Sequence, residues 1–133
     1  MVLVDTNVLL DVLQDDAEWA PWSIAQLRSQ SRLHTLGINA VIYAELSLSY
    51  STMEALDAVM RRMELKPLEL PRAALFLAGK AFIEYRRRGG ARAQVLPDFF
   101  IGAHAAVLEC PLLTRDARRF RTYFPSLSVI APD

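Results

Sequence analysis

The chain has 133 residues, 53% of them hydrophobic and 23% charged, with a formal net charge of zero, which predicts a single domain over residues 1–133 with a substantial core. No apolar run approaches the roughly 20 residues of a membrane-spanning helix, and the N-terminus lacks the basic segment of a signal peptide, so we expect no membrane association. A single cysteine, Cys110, excludes an intrachain disulfide and favours a reducing cytoplasm.

Segments with the patterns of strands and helices alternate along the chain. The patterns predict five strands, at 2–4, 35–38, 68–70, 112–114 and 127–130. A short helix and helix 18–30 are predicted between the first two strands. Helix 40–49, capped by Asn39, and a helix begun by a Ser51–Glu54 capping box are predicted between the second and third. A long helix opened by Pro71 and stopped at Gly89-Gly90 is predicted after the third strand, followed by helix 97–109, and helix 117–123 lies between the last two strands. Such alternation is typical of an α/β fold with parallel strands joined by crossover helices.

Acidic residues follow two of the predicted strands directly. Asp5 ends the run Met1-Val2-Leu3-Val4, and Asp116 follows the run that ends at Thr114. Asp98 opens the apolar helix after Pro97, whose small residues Gly102 and Ala105 allow close packing. Each aspartate alone is equally compatible with simple helix capping, worth about 1 kcal/mol. Parallel strands end at one edge, however, and carboxylates that meet there need a proton or a cation, which favours a divalent metal site.

Glu45 is the fourth candidate acid, because it lies within an apolar stripe of helix 40–49. A buried acid needs a partner, and an arginine serves as well as a metal on this observation alone. Asp11, in contrast, fits a solvated acidic face. His104 fits a core histidine with satisfied hydrogen bonds, and His34 fits the surface. The two histidines do not have the spacing of a zinc site.

The residues Asp5-Thr6-Asn7, Glu45, Pro97-Asp98 and Leu112-Leu113-Thr114-Arg115-Asp116 together resemble the PIN domain, and more closely the VapC-type toxins of bacterial toxin–antitoxin pairs. The resemblance covers essentially the whole chain. It implies a three-layer α/β/α sandwich with a central parallel sheet of about five strands. It also implies a dimeric Mg²⁺- or Mn²⁺-dependent endoribonuclease that is neutralised by a partner antitoxin.

Carried over by position, the resemblance assigns roles to individual residues. The acidic, catalytic metal ligands are Asp5, Glu45, Asp98 and Asp116, with Asp5 and Asp98 as the principal ligands and the other two binding a second metal or positioning water. The polar residues that hold carboxylates or water are Thr6, Asn7 and Thr114. An all-oxygen ligand set favours Mg²⁺ or Mn²⁺ over zinc.

Residues 86–121 carry eight arginines against three acids, a net charge of plus five, whereas residues 1–18 carry acids and no basic residue. Arginine binds phosphate in a bidentate way, so an arginine-rich rim beside an acidic pocket suits an RNA substrate. The arginines expected to contact phosphates are Arg86, Arg87, Arg88, Arg92, Arg118 and Arg119. For the triplet 86–88, stabilisation of a helix C-terminus is an equally good explanation.

Other function classes share some of these features. A flap-type DNA nuclease shares the acidic edge but carries additional segments for threading DNA, for which this chain has little room. A phospho-acceptor signalling domain needs adjacent acids directly after its first strand and a late lysine, and neither Lys66 nor Lys80 fits. A non-catalytic RNA-binding module does not need four acids.

Overall fold

The computed structural model describes residues 1–92 and 95–132. In this part of the chain five parallel strands form one sheet in the order β3-β2-β1-β4-β5. The strands are β1 (Val2–Val4), β2 (Leu36–Asn39), β3 (Leu65–Leu68), β4 (Leu112–Leu113) and β5 (Val129–Ile130). The helices are α1 (Thr6–Leu13), α2 (Ala20–Leu33), α3 (Ala40–Ser47), α4 (Met53–Arg62), α5 (Arg72–Arg87), α6 (Leu96–Leu108) and α7 (Arg118–Tyr123). The predicted three-layer α/β/α sandwich with a parallel sheet is confirmed.

The central strand β1 consists of three fully buried residues. A strand in the middle of a parallel sheet is covered on both faces, so it reads as a continuous apolar run without polar alternation. It pairs with β2 on one side and β4 on the other, with Leu3 opposite both Gly37 and Leu112. This register brings the residues that follow β1 and β4 to the same edge of the sheet.

Two predictions about local structure were wrong in position. The third strand lies at Leu65–Leu68, where Leu65 pairs with Leu36, and not at 68–70. It contains the exposed Pro67, which is tolerated because β3 is at the edge of the sheet and needs no ladder on its outer side. Helix α4 is capped by Thr52, whose hydroxyl accepts the Ala55 N–H at 3.2 Å, and not by Ser51.

The starts of two helices also differ from expectation. Helix α6 begins at Leu96, so Asp98 lies inside its first turn and not before it. Helix α7 begins at Arg118, two residues after Asp116. Neither aspartate therefore acts as the N-cap of its helix. Asp5 does cap α1, because its carboxylate accepts the Thr6 N–H.

The packing of α6 depends on an aromatic cluster and on one glycine. The ring of Phe99 contacts Phe82, Tyr85, Tyr123 and Phe124, with centroids 5.3–6.1 Å apart. A Cβ atom on Gly102 would lie 2.6 Å from the Phe124 ring, so α6 and the chain after α7 approach each other more closely than alanine allows. The expectation that a small residue at 102 permits close packing is confirmed.

Helix α5 ends as predicted, because Gly89 has a φ of 89° and its N–H donates to the carbonyl of Arg86. Cys110 is buried, and His34 is exposed as expected. Within the described ranges no helix has the length and apolar content needed to cross a membrane.

Candidate active site at the carboxyl edge of the sheet

The carboxyl ends of β1 and β4 lie side by side. The Asp5 N–H donates to the Leu113 carbonyl at 2.9 Å, which extends the ladder to the last residue before the chain turns. Asp5 follows β1 and Thr114 follows β4, so both side chains are fixed by strands of the central sheet. This edge is where open α/β sheets place their binding sites.

Asp5 is a buried acid, with 5% of its surface exposed. One carboxylate oxygen accepts the Thr6 N–H at 2.8 Å, and the other accepts the Thr114 hydroxyl at 2.8 Å. Burial, together with the negative charges of Asp98 and Glu45, raises the pKa of Asp5 to about 7 in spite of these two hydrogen bonds. The pocket thus concentrates negative charge where water is largely excluded.

Glu45, on α3, reaches the same edge through Thr6, whose hydroxyl donates to the glutamate at 2.7 Å. The glutamate is half-buried, and it forms no ion pair with any arginine in the part of the chain that is described. The partner of this acid is therefore a hydroxyl group, which satisfies hydrogen bonding but leaves the charge uncompensated.

Asp98 lies in the first turn of α6 and accepts a hydrogen bond of 2.5 Å from the guanidinium of Arg119. Burial raises the pKa of Asp98, and the Arg119 charge opposes this effect. The charges of Glu45 and Asp116 also raise the pKa of Asp98. Asp98 is thus electrostatically coupled to all three of the other predicted acids, since it also raises the pKa of Asp5.

Thr114 connects the remaining polar residues. Its buried hydroxyl donates to Asp5 and accepts the Asp116 N–H at 3.1 Å and the Asn7 side-chain amide at 3.4 Å. The carbonyl oxygen of the Asn7 side chain accepts the Arg115 N–H at 3.2 Å. The side chain of Asp116 is exposed. This network fixes the backbone that carries Asp116 against the start of α1.

The donor groups at this edge fit a divalent cation of the Mg²⁺ type, because they are carboxylate oxygens and burial disfavours the charge of two of them, Asp5 and Asp98. The four acids do not form a closed cage. Across residues 1–92 and 95–132 no three His, Cys, Asp or Glu side chains are grouped closely enough to hold an ion as they stand. Side-chain rotation would have to bring the carboxylates together around a metal.

The predicted arginine rim is divided between two places. Arg86, Arg87, Arg88 and Arg92 lie exposed at and after the end of α5, where Arg88 pairs with Glu84 at 3.0 Å. Arg118 is exposed and Arg119 half-buried at the start of α7. These last two line an open cavity of about 420 Å³ together with Asp116, Thr122 and Tyr123. The second group therefore adjoins the acids directly.

Asp11 was wrongly assigned to a solvated face. Only 3% of it is exposed, and its carboxylate accepts the Arg115 Nε–H at 2.7 Å and the Ser23 hydroxyl at 2.8 Å. The Arg115 guanidinium also lies 5.3 Å from the centroid of the Trp19 ring. Asp11 stands four residues after Asn7, on the same helical face, and that spacing was the available signal.

His104 was expected to be a satisfied core histidine, and the structure corrects half of that expectation. The ring is fully buried, and its Nδ1 lies 3.1 Å from the side-chain amide nitrogen of Asn39. Its Nε2 has no hydrogen-bond partner among the described residues. Burial lowers the pKa of His104, so the ring is neutral at physiological pH.

A family model for the PIN domain matches residues 2–124. No curated protein is detectably similar in sequence. Among solved structures, VapBC2 from Rickettsia felis, bound to a DNA fragment from its promoter, gives a TM-score of 0.76 at 18% identity over 100% of both chains. A toxin–antitoxin complex from Klebsiella pneumoniae gives 0.73 at 19% identity over 100% of this chain and 98% of the other. DNA-bound VapBC from Salmonella typhimurium gives a TM-score of 0.72 at 20% identity over 98% of this chain and 96% of the other. At these identities the structures are similar to this chain in fold.

Proposed function

The chain belongs to the PIN domain family, a family of nucleases, and on that basis we propose that it is a metal-dependent endoribonuclease and the toxin of a type II toxin–antitoxin pair. The observation that carries the proposal is the buried Asp5 at the carboxyl edge of the sheet, with a pKa raised to about 7 by burial. A fold selected for stability alone has no use for a buried acid whose charge is disfavoured. A divalent cation would stabilise that charge.

Asp5 and Asp98 are the proposed principal ligands of Mg²⁺ or Mn²⁺, and Glu45 and Asp116 the residues that hold a second ion or a water molecule. When bound, such an ion supplies an activated water and neutralises charge on a phosphodiester. The residues of the chain keep the carboxylates in position. Thr114 orients Asp5 through a hydrogen bond of 2.8 Å.

The other polar residues act at one remove from the acids. Thr6 orients Glu45 through its hydroxyl, and Asn7 holds the Thr114 hydroxyl and the backbone at Arg115. Hydrogen bonds from neighbouring side chains keep metal ligands in the orientation that binding requires. Hydrolysis by water would leave 5′-phosphate and 3′-hydroxyl ends and would not use the RNA 2′-hydroxyl.

The proposed substrate is RNA, and its phosphates contact the exposed arginines. Arg118 and Arg119 border the cavity next to Asp116, and Arg119 also donates to Asp98. Arg86, Arg87, Arg88 and Arg92 are exposed, and the Arg88 guanidinium lies 5.3 Å from the ring centroid of Tyr123, which lines the same cavity. Arginine side chains bind phosphate in a bidentate manner, which gives position as well as affinity.

The proposed protein partner is a cognate antitoxin. The support is that similar folds occur in solved toxin–antitoxin complexes. Trp19 and Trp22, whose rings meet edge to face at 6.3 Å, are both only half-buried and are the proposed aromatic anchors for that partner. The resemblance further supports a homodimer in the cytoplasm.

Cleavage of a labelled single-stranded RNA tests the proposed activity. We expect cleavage in Mg²⁺ or Mn²⁺, none in EDTA, and products with 5′-phosphate ends. Asp98→Asn should lower the rate by about 100-fold or more, because the amide keeps the shape and loses the charge. Glu54→Gln is the matched control, since Glu54 also lies in the first turn of a helix but is exposed.

Two results would contradict the proposal. One is an Asp98→Asn variant that cleaves RNA at the wild-type rate in Mg²⁺. The other is cleavage that persists in EDTA and leaves 2′,3′-cyclic phosphates, which indicates attack by the 2′-hydroxyl without a metal. A single-stranded DNA of the same sequence, run beside the RNA, distinguishes a ribonuclease from a DNA nuclease.

A further inference from the structure

The acidic pocket contains a cation supplied by the chain itself. Arg119, in the first turn of α7, donates from Nη1 to Asp98 at 2.5 Å. Among the ion pairs of the described residues, this is the one that includes any of Asp5, Glu45, Asp98 or Asp116. A cation is unfavourable in the first turn of a helix, where the helix dipole repels it, so local helix stability does not explain its presence.

The contact between Arg119 and Asp98 is suited to exchange. The side chains are 28% and 31% exposed, so both groups reach solvent and neither is locked into the core. Water or another charged group can therefore replace either partner without rearrangement of the core. The pair of Arg115 and Asp11 is different, because the Asp11 carboxylate is only 3% exposed, although Arg115 is 31% exposed, and it also accepts a hydrogen bond from Ser23.

An open cavity lies beside Arg119 and can accept its side chain when the contact with Asp98 is broken. The Arg119 side chain borders this cavity of about 420 Å³, which also contains Asp116, Arg118 and Thr122. The two guanidinium groups that line this cavity are donors that a phosphate accepts, whereas the Thr122 hydroxyl already donates to the Arg118 carbonyl. The same side chain can therefore face either the acids or a phosphate.

A divalent ion and a guanidinium compete for the oxygens of Asp98, because both are cations and both need the same lone pairs. We propose that Arg119 is an internal counter-ion that occupies the acidic pocket in the metal-free protein and transfers to an RNA phosphate when a divalent ion binds. Metal binding and RNA binding then strengthen each other, and by linkage each raises the affinity for the other by the same factor. This inference rests on the proposed function, since it assigns the ion and the RNA to the same site.

Mn²⁺ binding to the metal-free protein, measured by titration calorimetry without RNA, tests the competition between Arg119 and the ion for Asp98. Removing the competing charge in Arg119→Gln should tighten Mn²⁺ binding by about 10-fold, which is the effect of about 1.4 kcal/mol. Arg119→Lys keeps a cation and should bind Mn²⁺ with nearly wild-type affinity. Arg121→Gln is the matched control, because Arg121 is an exposed arginine of the same helix that makes no ion pair with Asp98, and it should leave Mn²⁺ affinity unchanged.

Binding of a short fluorescent RNA tests the transfer of Arg119 to an RNA phosphate. It is measured in EDTA and in Ca²⁺, a hard cation with oxygen ligands that is used here to limit turnover. The ion should increase RNA affinity in the wild type, and Arg119→Gln should lose most of that increase while Arg121→Gln retains it. Equal increases in the wild type and in Arg119→Gln would overturn the transfer of Arg119 to phosphate.

The calorimetric experiment distinguishes a failure of the internal counter-ion from a failure of the metal site. If Mn²⁺ binds the wild type, fails to bind Asp98→Asn, and binds Arg119→Gln no more tightly than the wild type, the metal site stands and the internal counter-ion is refuted. If Mn²⁺ binds neither the wild type nor Arg119→Gln, the metal-dependent function itself fails, and the inference fails with it.

Discussion

Replacement of Asp5 by asparagine should stabilise the metal-free protein at pH 8. The carboxyl has a pKa of about 7 in the fold and 3.8 as its ordinary value, a difference of about three units. At about 1.4 kcal/mol per unit, ionising this buried group costs the folded state about 4 kcal/mol. Asparagine removes that cost but weakens the hydrogen bond from Thr114, which offsets about 1 kcal/mol.

The effect should depend on pH with a defined sign. Between about pH 4 and pH 7 the folded protein retains a proton on Asp5 that the unfolded chain has released, so wild-type stability falls as the pH rises through this window. The whole cost is present above pH 7 and absent near pH 4. Asp5→Asn should therefore be more stable than the wild type by about 2–3 kcal/mol at pH 8 and no more stable than the wild type near pH 4.

Thermal unfolding in EDTA at pH 5 and pH 8 measures this difference. For a chain of this size about 3 kcal/mol corresponds to a rise in Tm of about 10 °C. Asp15→Asn is the control, because Asp15 is exposed just after the same helix, and its positive φ of 50° is one that asparagine tolerates. A wild-type Tm that does not change between these pH values, with no gain in Asp5→Asn at pH 8, would refute the reasoning. Mg²⁺ at pH 8 should raise the Tm of the wild type and not that of the variant.

Two further substitutions test the packing around the site. Asp11→Asn removes the charge of a carboxylate that is 3% exposed and leaves the guanidinium of Arg115, which is 31% exposed, without its acidic partner, so urea unfolding should show a loss of about 1–3 kcal/mol. An unchanged midpoint would mean that the pair is not formed in solution. Gly102→Ala places a methyl group 2.6 Å from the Phe124 ring and should lower stability by about 1–3 kcal/mol, whereas Gly79→Ala, an exposed helical position with no atom within 4 Å, should raise it by about 0.5–1 kcal/mol in the same assay. Equal effects of the two glycine substitutions would contradict the close approach at Gly102.

Several features of this protein follow from the sequence because they are local. The fully apolar run 2–4 is a central strand since a strand covered on both faces has no polar side. Asp5 directly follows that run and caps α1, because aspartate at the start of a helix accepts a free backbone N–H. Gly89 ends α5 because only glycine adopts its φ of 89° without strain.

Other features were decided by contacts between residues far apart in the chain. Asp11 reads as an exposed acid until Arg115, 104 residues later, is placed beside it by the pairing of β1 with β4. The third strand is Leu65–Leu68 because Leu65 is in register with Leu36, and a strand's own residues do not specify its partner or its register.

The same holds for the candidate site. The sequence determined which acids follow strands and helices, since chain position fixes that. Only the tertiary structure placed Arg119 on Asp98 and the Thr6 hydroxyl on Glu45, because these contacts depend on how α7, α6, α1 and α3 pack around one sheet edge. Local pattern determines where a side chain is attached, whereas the packing of the elements determines which charge it meets.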